Sequence, residues 1–240
     1  MPLLRASQIP SQHAGTGRSD LPHANALRIA LAAFGGLLVL AAIWLLATEL
    51  LRTTPAQFVW NREQASASVA AGGSGAGYVG MIRGDVWLED GLARWTEFLA
   101  KGGNEAPDAA KFAAARAALA RATRLAPHDA RGWLVLAAAE THANASPDAI
   151  AGALKMSYYT GSSEVALIPL RISLAAEPNL GDAELRILLE NEIRTIAQQA
   201  SLRPALAQAY RYASPEAQRT LREVVGGIDA RLASDMQAAR

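Results

Sequence analysis

The strongest pattern in this chain is a run of uninterrupted apolar residues near its start. Ile29 to Thr48 reads IALAAFGGLLVLAAIWLLAT, twenty residues without a charge. At about 1.5 Å rise per residue, a helix of that length covers about 30 Å, the thickness of bilayer hydrocarbon. Arg28 precedes the run, and Glu49 and Arg52 follow it. Such long side chains can reach back to a headgroup layer, and Trp44, near the far end, suits an interface. A buried core helix is usually shorter and seldom apolar on every face. A cleavable signal has an apolar stretch of only about 7–15 residues behind a short basic leader. Here 28 residues come first, and Ala47-Thr48-Glu49 is a poor cleavage site. The pattern predicts an uncleaved transmembrane helix at 27–52, contacting lipid through 29–48, behind a disordered polar tail at 1–26. Gly35 and Gly36 read either as residues tolerated in lipid or as a place where another helix comes close.

Beyond the apolar run the pattern changes. Residues 53–77 end in AAGGSGAG (Ala70 to Gly77). A phosphate-cradling loop needs a strand before it and a Lys-Ser or Lys-Thr after it; this stretch has neither and reads as a flexible linker. From 78 to 240, apolar residues recur at helical spacing. Val79, Ile82, Val86, Leu92, Trp95 and Leu99 predict a helix from Tyr78 to Ala100, stopped by Gly102-Gly103. Asp108 opens a helix that Pro127 ends, and Ala130 to His142 forms the next. Ser146-Pro147-Asp148 and Ser214-Pro215-Glu216 are helix starts: Ser accepts a backbone N–H, Pro fits the first turn, and the carboxylate suits the positive helix end. Asp182 caps the most regular helix, in which Leu185, Leu188, Leu189, Ile193 and Ile196 share one face. Pro204 opens another helix. A last pair, Pro215–Val225 and Ile228–Gln237, is expected to break at Gly226-Gly227. Val, Ile and Thr are too scattered to build strands, so the expected class is all-α, with short links that favour antiparallel neighbours.

Composition narrows the function classes. The chain is 51% hydrophobic, largely through alanine, and carries a net charge of +1. That charge gives no field to gather nucleic acid, and basic and aromatic residues do not interleave as a single-strand-binding surface requires. The absence of cysteine excludes disulfides, thiolate metal sites and a Cys nucleophile. Near the apolar run, Arg18 and Arg28 on one side balance Arg52 and Arg62 on the other, and Arg5 tips the count toward a cytoplasmic N-terminus. The expected placement is the inner membrane of a bacterial envelope, with 78–240 in the periplasm.

A weak internal repeat joins these helices. Ala118-Leu119, Ala122 and Leu125 align with Ala153-Leu154, Ser157 and Thr160 at an offset of 35 residues. Asp129-Ala130 then aligns with Glu164-Val165, and Trp133 with Ile168. Ala115, Ala122, Pro127 and Trp133, followed by Leu136 and Ala137, resemble the tetratricopeptide repeat over about residues 111–142, and less well over 143–177, where Ser162 stands at the proline position. The resemblance implies a TPR-like domain of antiparallel helical hairpins, used as a scaffold for a peptide or protein partner.

Candidate chemistry is sparse. His13, His23, His128 and His142 are not paired at i+3 or i+4, so no metal site or cofactor is expected. Asp85 and Glu89 share a helical face and could act as an acid–base pair only in a pocket that shifts their pKa values; a solvated face is the simpler reading. No G-x-S-x-G or Ser, His and Asp triad appears. Trp87, Trp95, Tyr158 and Tyr159 read either as packing or as partner-binding anchors. The sequence therefore predicts a membrane-anchored helical-repeat scaffold rather than an enzyme. An accessory role in assembly or export of cell-surface polysaccharide is the alternative, by architectural analogy alone.

Overall fold

The computed structural model describes residues 22–50, 58–59, 61–68, 82–101 and 106–238. Residues 1–21 of the expected tail over 1–26, the Ala70–Gly77 part of the expected linker over 53–77, the helix start at Tyr78 and the Gly102-Gly103 stop lie outside these; 22–26 and 62–68, expected without structure, are helical, and the helix expected from Tyr78 is described from Gly84. The chain divides into two compact units, Met1–Leu46 and Ala47–Arg240. Among the described residues the secondary structure is helical, with no strand.

The first helix, α1 (Pro22–Leu50), carries the apolar run. Asn25–Ala47 is long and apolar enough to cross a membrane, and none of it is buried against protein. Leu31, Phe34, Leu38, Ile43 and Leu45 are all exposed, so apolar side chains face outward around the helix. In water that exposure would be costly, at about 25 cal/mol per Å² of apolar surface.

The second unit contains α2 (Arg62–Ser68), α3 (Gly84–Ala100), α4 (Ala106–Leu125), α5 (Ala130–His142), α6 (Pro147–Thr160), α7 (Ile168–Ala175), α8 (Ala183–Gln198), α9 (Arg203–Tyr212), α10 (Pro215–Ile228) and α11 (Ala230–Ala238). Single 3-10 turns, Val165–Leu167, Pro178–Leu180 and Ala200–Leu202, lead into or link α7, α8 and α9. The N-caps act as their residue types require. Asp129 accepts from Arg131 N–H, Ser146 from Ala149, Asp182 from Glu184 and Leu185, and Ser214 from Ala217. Gly181 takes φ +57 in the turn before α8, a left-handed backbone that favours glycine.

Helices α3 and α4 run antiparallel in close contact. A Cβ on Gly84 would lie 2.6 Å from the Ala126 Cβ, and one on Gly91 would lie 2.9 Å from the Leu119 side chain. One further step along, the Phe98 and Phe112 rings are 4.9 Å apart. These contacts advance seven residues along one helix and retreat seven along the other. Helix α5 returns antiparallel to α4: Gly132 faces Thr123, Glu140 binds Arg116 at 2.8 Å, and the His142 and Phe112 ring centres lie 5.2 Å apart in an edge-on arrangement. Ala115 and Ala122 are buried, and the Trp133 indole N–H donates to the Pro127 carbonyl at 2.8 Å. Small side chains thus allow the approach, and the indole fixes the turn after the proline.

Two hydrophobic cores result. One gathers Leu88, Leu92, Trp95, Phe98, Leu119, Leu134 and Leu154 from α3 to α6. The other gathers Leu189, Ile193, Ile196, Leu206, Tyr210, Leu221 and Val225 from α8 to α10. Helix α7 belongs to both, giving Leu170 to the first and Ile168 and Ile172 to the second.

The final helical break differs from the expectation at Gly226-Gly227. Helix α10 runs through both glycines to Ile228, and the chain turns at Asp229. Asp229 is extended and accepts from the Arg231 and Leu232 N–H groups, so a strong cap outweighs two glycines that hold helical dihedrals.

Two measurements check this packing. Gly91→Ala should cost about 1–3 kcal/mol of unfolding free energy, whereas Gly226→Ala, where a Cβ meets nothing within 4 Å, should gain about 0.5–1 kcal/mol. Urea denaturation decides both. At the α3–α4 contact, bonds from Lys101 and then Lys111 hold the Glu97 carboxyl down from 4.5 to about 2. A depressed carboxylate contributes stability that is present above its unfolded pKa and lost as pH falls through its folded one. The wild type should therefore lose stability between pH 4.5 and about 2, the window of this shift, and Glu97→Gln should reduce that loss.

Candidate functional site

Helix α7 is an apolar segment, IPLRISLA, interrupted by one charge. That charge, Arg171, is 0% exposed. Burying a guanidinium is costly unless its charge and donors are met. The charge and the two terminal nitrogens of Arg171 are met across two helices. Its Nη1 donates to Glu192 Oε1 of α8 at 3.2 Å, and its Nη2 donates to the Gly161 carbonyl at 2.9 Å and the Ser157 carbonyl at 3.3 Å at the end of α6. The guanidinium also lies over the Tyr158 ring, 4.7 Å from its centre. Arg171 Nε and Ser157 Oγ are buried with no hydrogen-bond partner among the described residues.

The second oxygen of Glu192 accepts a 2.9 Å bond from the Tyr158 hydroxyl. Tyr158, Glu192 and Arg171 thus form one buried network joining α6, α7 and α8. Burial raises the Glu192 carboxyl above its ordinary value, and Arg171 and the Tyr158 hydroxyl offset only part of this. Burial first, then the Glu192 charge, pushes the Tyr158 phenol well above its usual range.

This network forms one wall of a cleft of about 400 Å³. Tyr158, Val165, Ile168, Leu188, Ile196 and Leu202 supply the apolar lining, and Ser162, Ser163, Asn191, Glu192, Thr195 and Gln199 the polar one. An apolar cavity with a few convergent polar groups is the usual form of a binding site. The Thr195 hydroxyl is committed to the Asn191 carbonyl at 3.0 Å; Asn191 and Gln199 are exposed, and the Asn191 side-chain oxygen accepts from Arg194 at 2.9 Å.

The four aromatic residues singled out from the sequence are placed differently. Trp95 is buried in the first core against Phe98 and Phe112. Trp87 is half-buried under the Arg121 guanidinium, 4.6 Å from its ring centre. Tyr158 lies in the cleft wall. Tyr159, beside it, is exposed and donates to Glu184, which also pairs with Lys155. The structure therefore brings Tyr158 alone of the four to the cleft, leaves Tyr159 on the surface and puts the two tryptophans in or against the core. Asp85 is held in an ion pair by Arg83, and Glu89 lies in the field of Arg131. Among the described residues, no group of three His, Cys, Asp or Glu side chains could hold a metal ion.

Sequence reasoning did not select Arg171 or Glu192. The available signal was a lone arginine inside an apolar helix, and its partner stands 21 residues away. No family model, no curated protein and no solved structure matches this chain.

Tyr158→Phe removes the hydroxyl that bonds Glu192 and should lower stability by about 1.5–3 kcal/mol, the range for a hydrogen bond to a charged group. Because the folded phenol pKa is raised, its contribution is complete below about 10 and is lost as pH rises through the folded value. The variant should therefore show a shallower alkaline loss of stability in denaturation series above pH 10.

Proposed function

We propose that this protein is a membrane-anchored scaffold: α1 sits in the inner membrane of a bacterial envelope and presents a TPR-like helical domain that docks a protein partner. The observation that carries the anchor is Asn25–Ala47, apolar and unburied along its length. The excess of Arg5, Arg18 and Arg28 over Arg52 and Arg62 favours a cytoplasmic N-terminus and a periplasmic domain.

The repeat reading draws support from the spacing of helix ends. Helices α4 and α6 end at Leu125 and Thr160, and the next helical turns begin at Ala130 and Val165, each pair 35 residues apart. The antiparallel α3–α4 and α4–α5 pairs, closed by glycine and alanine, are what helical-hairpin stacking requires. The docking role draws support from the cleft, which offers an apolar surface with polar groups at its mouth.

Alkaline carbonate extraction of membranes tests the anchor. The full chain should stay in the pellet, and release into the supernatant would remove the proposal. A reporter fused after Arg240 should be active only in its periplasmic form; cytoplasmic activity would reverse the orientation. Crosslinking in native membranes should recover a distinct second polypeptide. Recovery of this chain alone at every expression level would contradict the scaffold role.

A further inference from the structure

We infer that the α6–α8 cleft docks a basic side chain, Arg or Lys, carried on an extended segment of the partner polypeptide; this rests on the scaffold reading above. The inference stands on charge and geometry. Of the residues that line the cleft, only Tyr158 and Glu192 are ionisable, and no Lys, Arg or His lines it. Arg171 is fully buried behind Glu192 and does not reach the cleft. An entering group therefore meets the carboxylate first and the guanidinium only through it.

Glu192 has capacity for that contact. Each of its oxygens accepts one bond from the protein, Oε1 from Arg171 and Oε2 from Tyr158, and a carboxylate oxygen can accept a second. Its side chain is 9% exposed, so a new donor would form a charge-assisted bond in a recess largely shielded from water. A carboxylate or phosphate would face Glu192 with no cation among the lining residues, and the nearby Arg194 is bonded to Glu190 and Asn191, which builds rejection of acidic segments into the same wall.

Size and surroundings favour a polypeptide over a folded element or a small amine. The volume of about 400 Å³ is at the small end for ligand sites, enough for one long side chain and a neighbour. Ile168, Leu188, Ile196 and Leu202 would cover the aliphatic stem of Arg or Lys, and the charged head would reach Glu192. Val165, which lines the cleft, is more than half exposed and offers apolar surface to a flanking residue. Gln199, exposed on the lining, offers its amide to the segment's main chain, as does the amide N–H of Asn191, whose oxygen is held by Arg194.

The test uses the full chain in mild detergent and a synthetic array of random hexapeptides with the central position fixed as Arg, Lys, citrulline or Glu. Retention on Arg and Lys peptides should exceed that on citrulline and Glu peptides by about tenfold, the worth of one charge-assisted bond. Asn191→Trp fills the mouth without removing Glu192, and should abolish this preference while leaving helical content intact. Equal retention on all four sets, or a preference that survives Asn191→Trp, overturns the inference. A photo-crosslinking residue at Gln199 in native membranes separates the two readings. Capture of the partner from Gln199, at a basic segment, supports the docking cleft. Capture only from positions on α3 or α4 sinks this inference and leaves the scaffold standing, and no partner from any position sinks both.

Discussion

The structure of the helical domain turns on one buried charge. Arg171 is enclosed where two hydrophobic cores meet, and its two terminal nitrogens are met by the end of α6 on one side and by Glu192 of α8 on the other. Removing either partner from such a pair leaves an uncompensated charge in a low-dielectric interior. A purely apolar α7 could pack against both cores with no defined angle or register. The guanidinium fork, aimed at two carbonyls and a carboxylate, fixes both. The cleft is a product of that constraint: its wall is the face of Tyr158 and Glu192 that Arg171 holds in place.

The other half of the domain is fixed by close packing rather than by charge. Gly84, Gly91, Ala115 and Ala122 let α3, α4 and α5 approach so closely that an added methyl at either glycine would meet a neighbouring atom within 3 Å. Packing of this kind gives a rigid platform and leaves little room for a site. That explains why Trp95, a large aromatic on this platform, is absorbed into the core, whereas Tyr158, at the α6–α7 joint, borders a cavity.

Local signals in the sequence were readable where local physics decides. The caps at Ser146, Asp182 and Ser214 and the apolar stripe of α8 depend on residues three or four apart and are legible in the sequence, whereas α4 starts at Ala106, two residues before the expected Asp108. The apolar helix α1 was equally plain, because length and composition alone define it. The break expected at Gly226-Gly227 moved to Asp229, since glycine only weakens a helix while a carboxylate that accepts two N–H groups starts a new one. The Arg171–Glu192 pair could not be read from spacing. On a helical wheel Glu192 is one more polar residue beside Asn191, and only the tertiary packing of α8 on α7 turns it inward.

A double-mutant cycle on Arg171 and Glu192 tests most directly whether this pair joins the two cores. Urea unfolding of the full chain would be followed for Arg171→Met, Glu192→Leu and the combination. Each single change should cost about 3–5 kcal/mol by stranding the other charge, and the double should cost less than their sum by at least about 2 kcal/mol. Additivity within about 0.5 kcal/mol would mean that the two side chains act independently, and the joint described here would not exist.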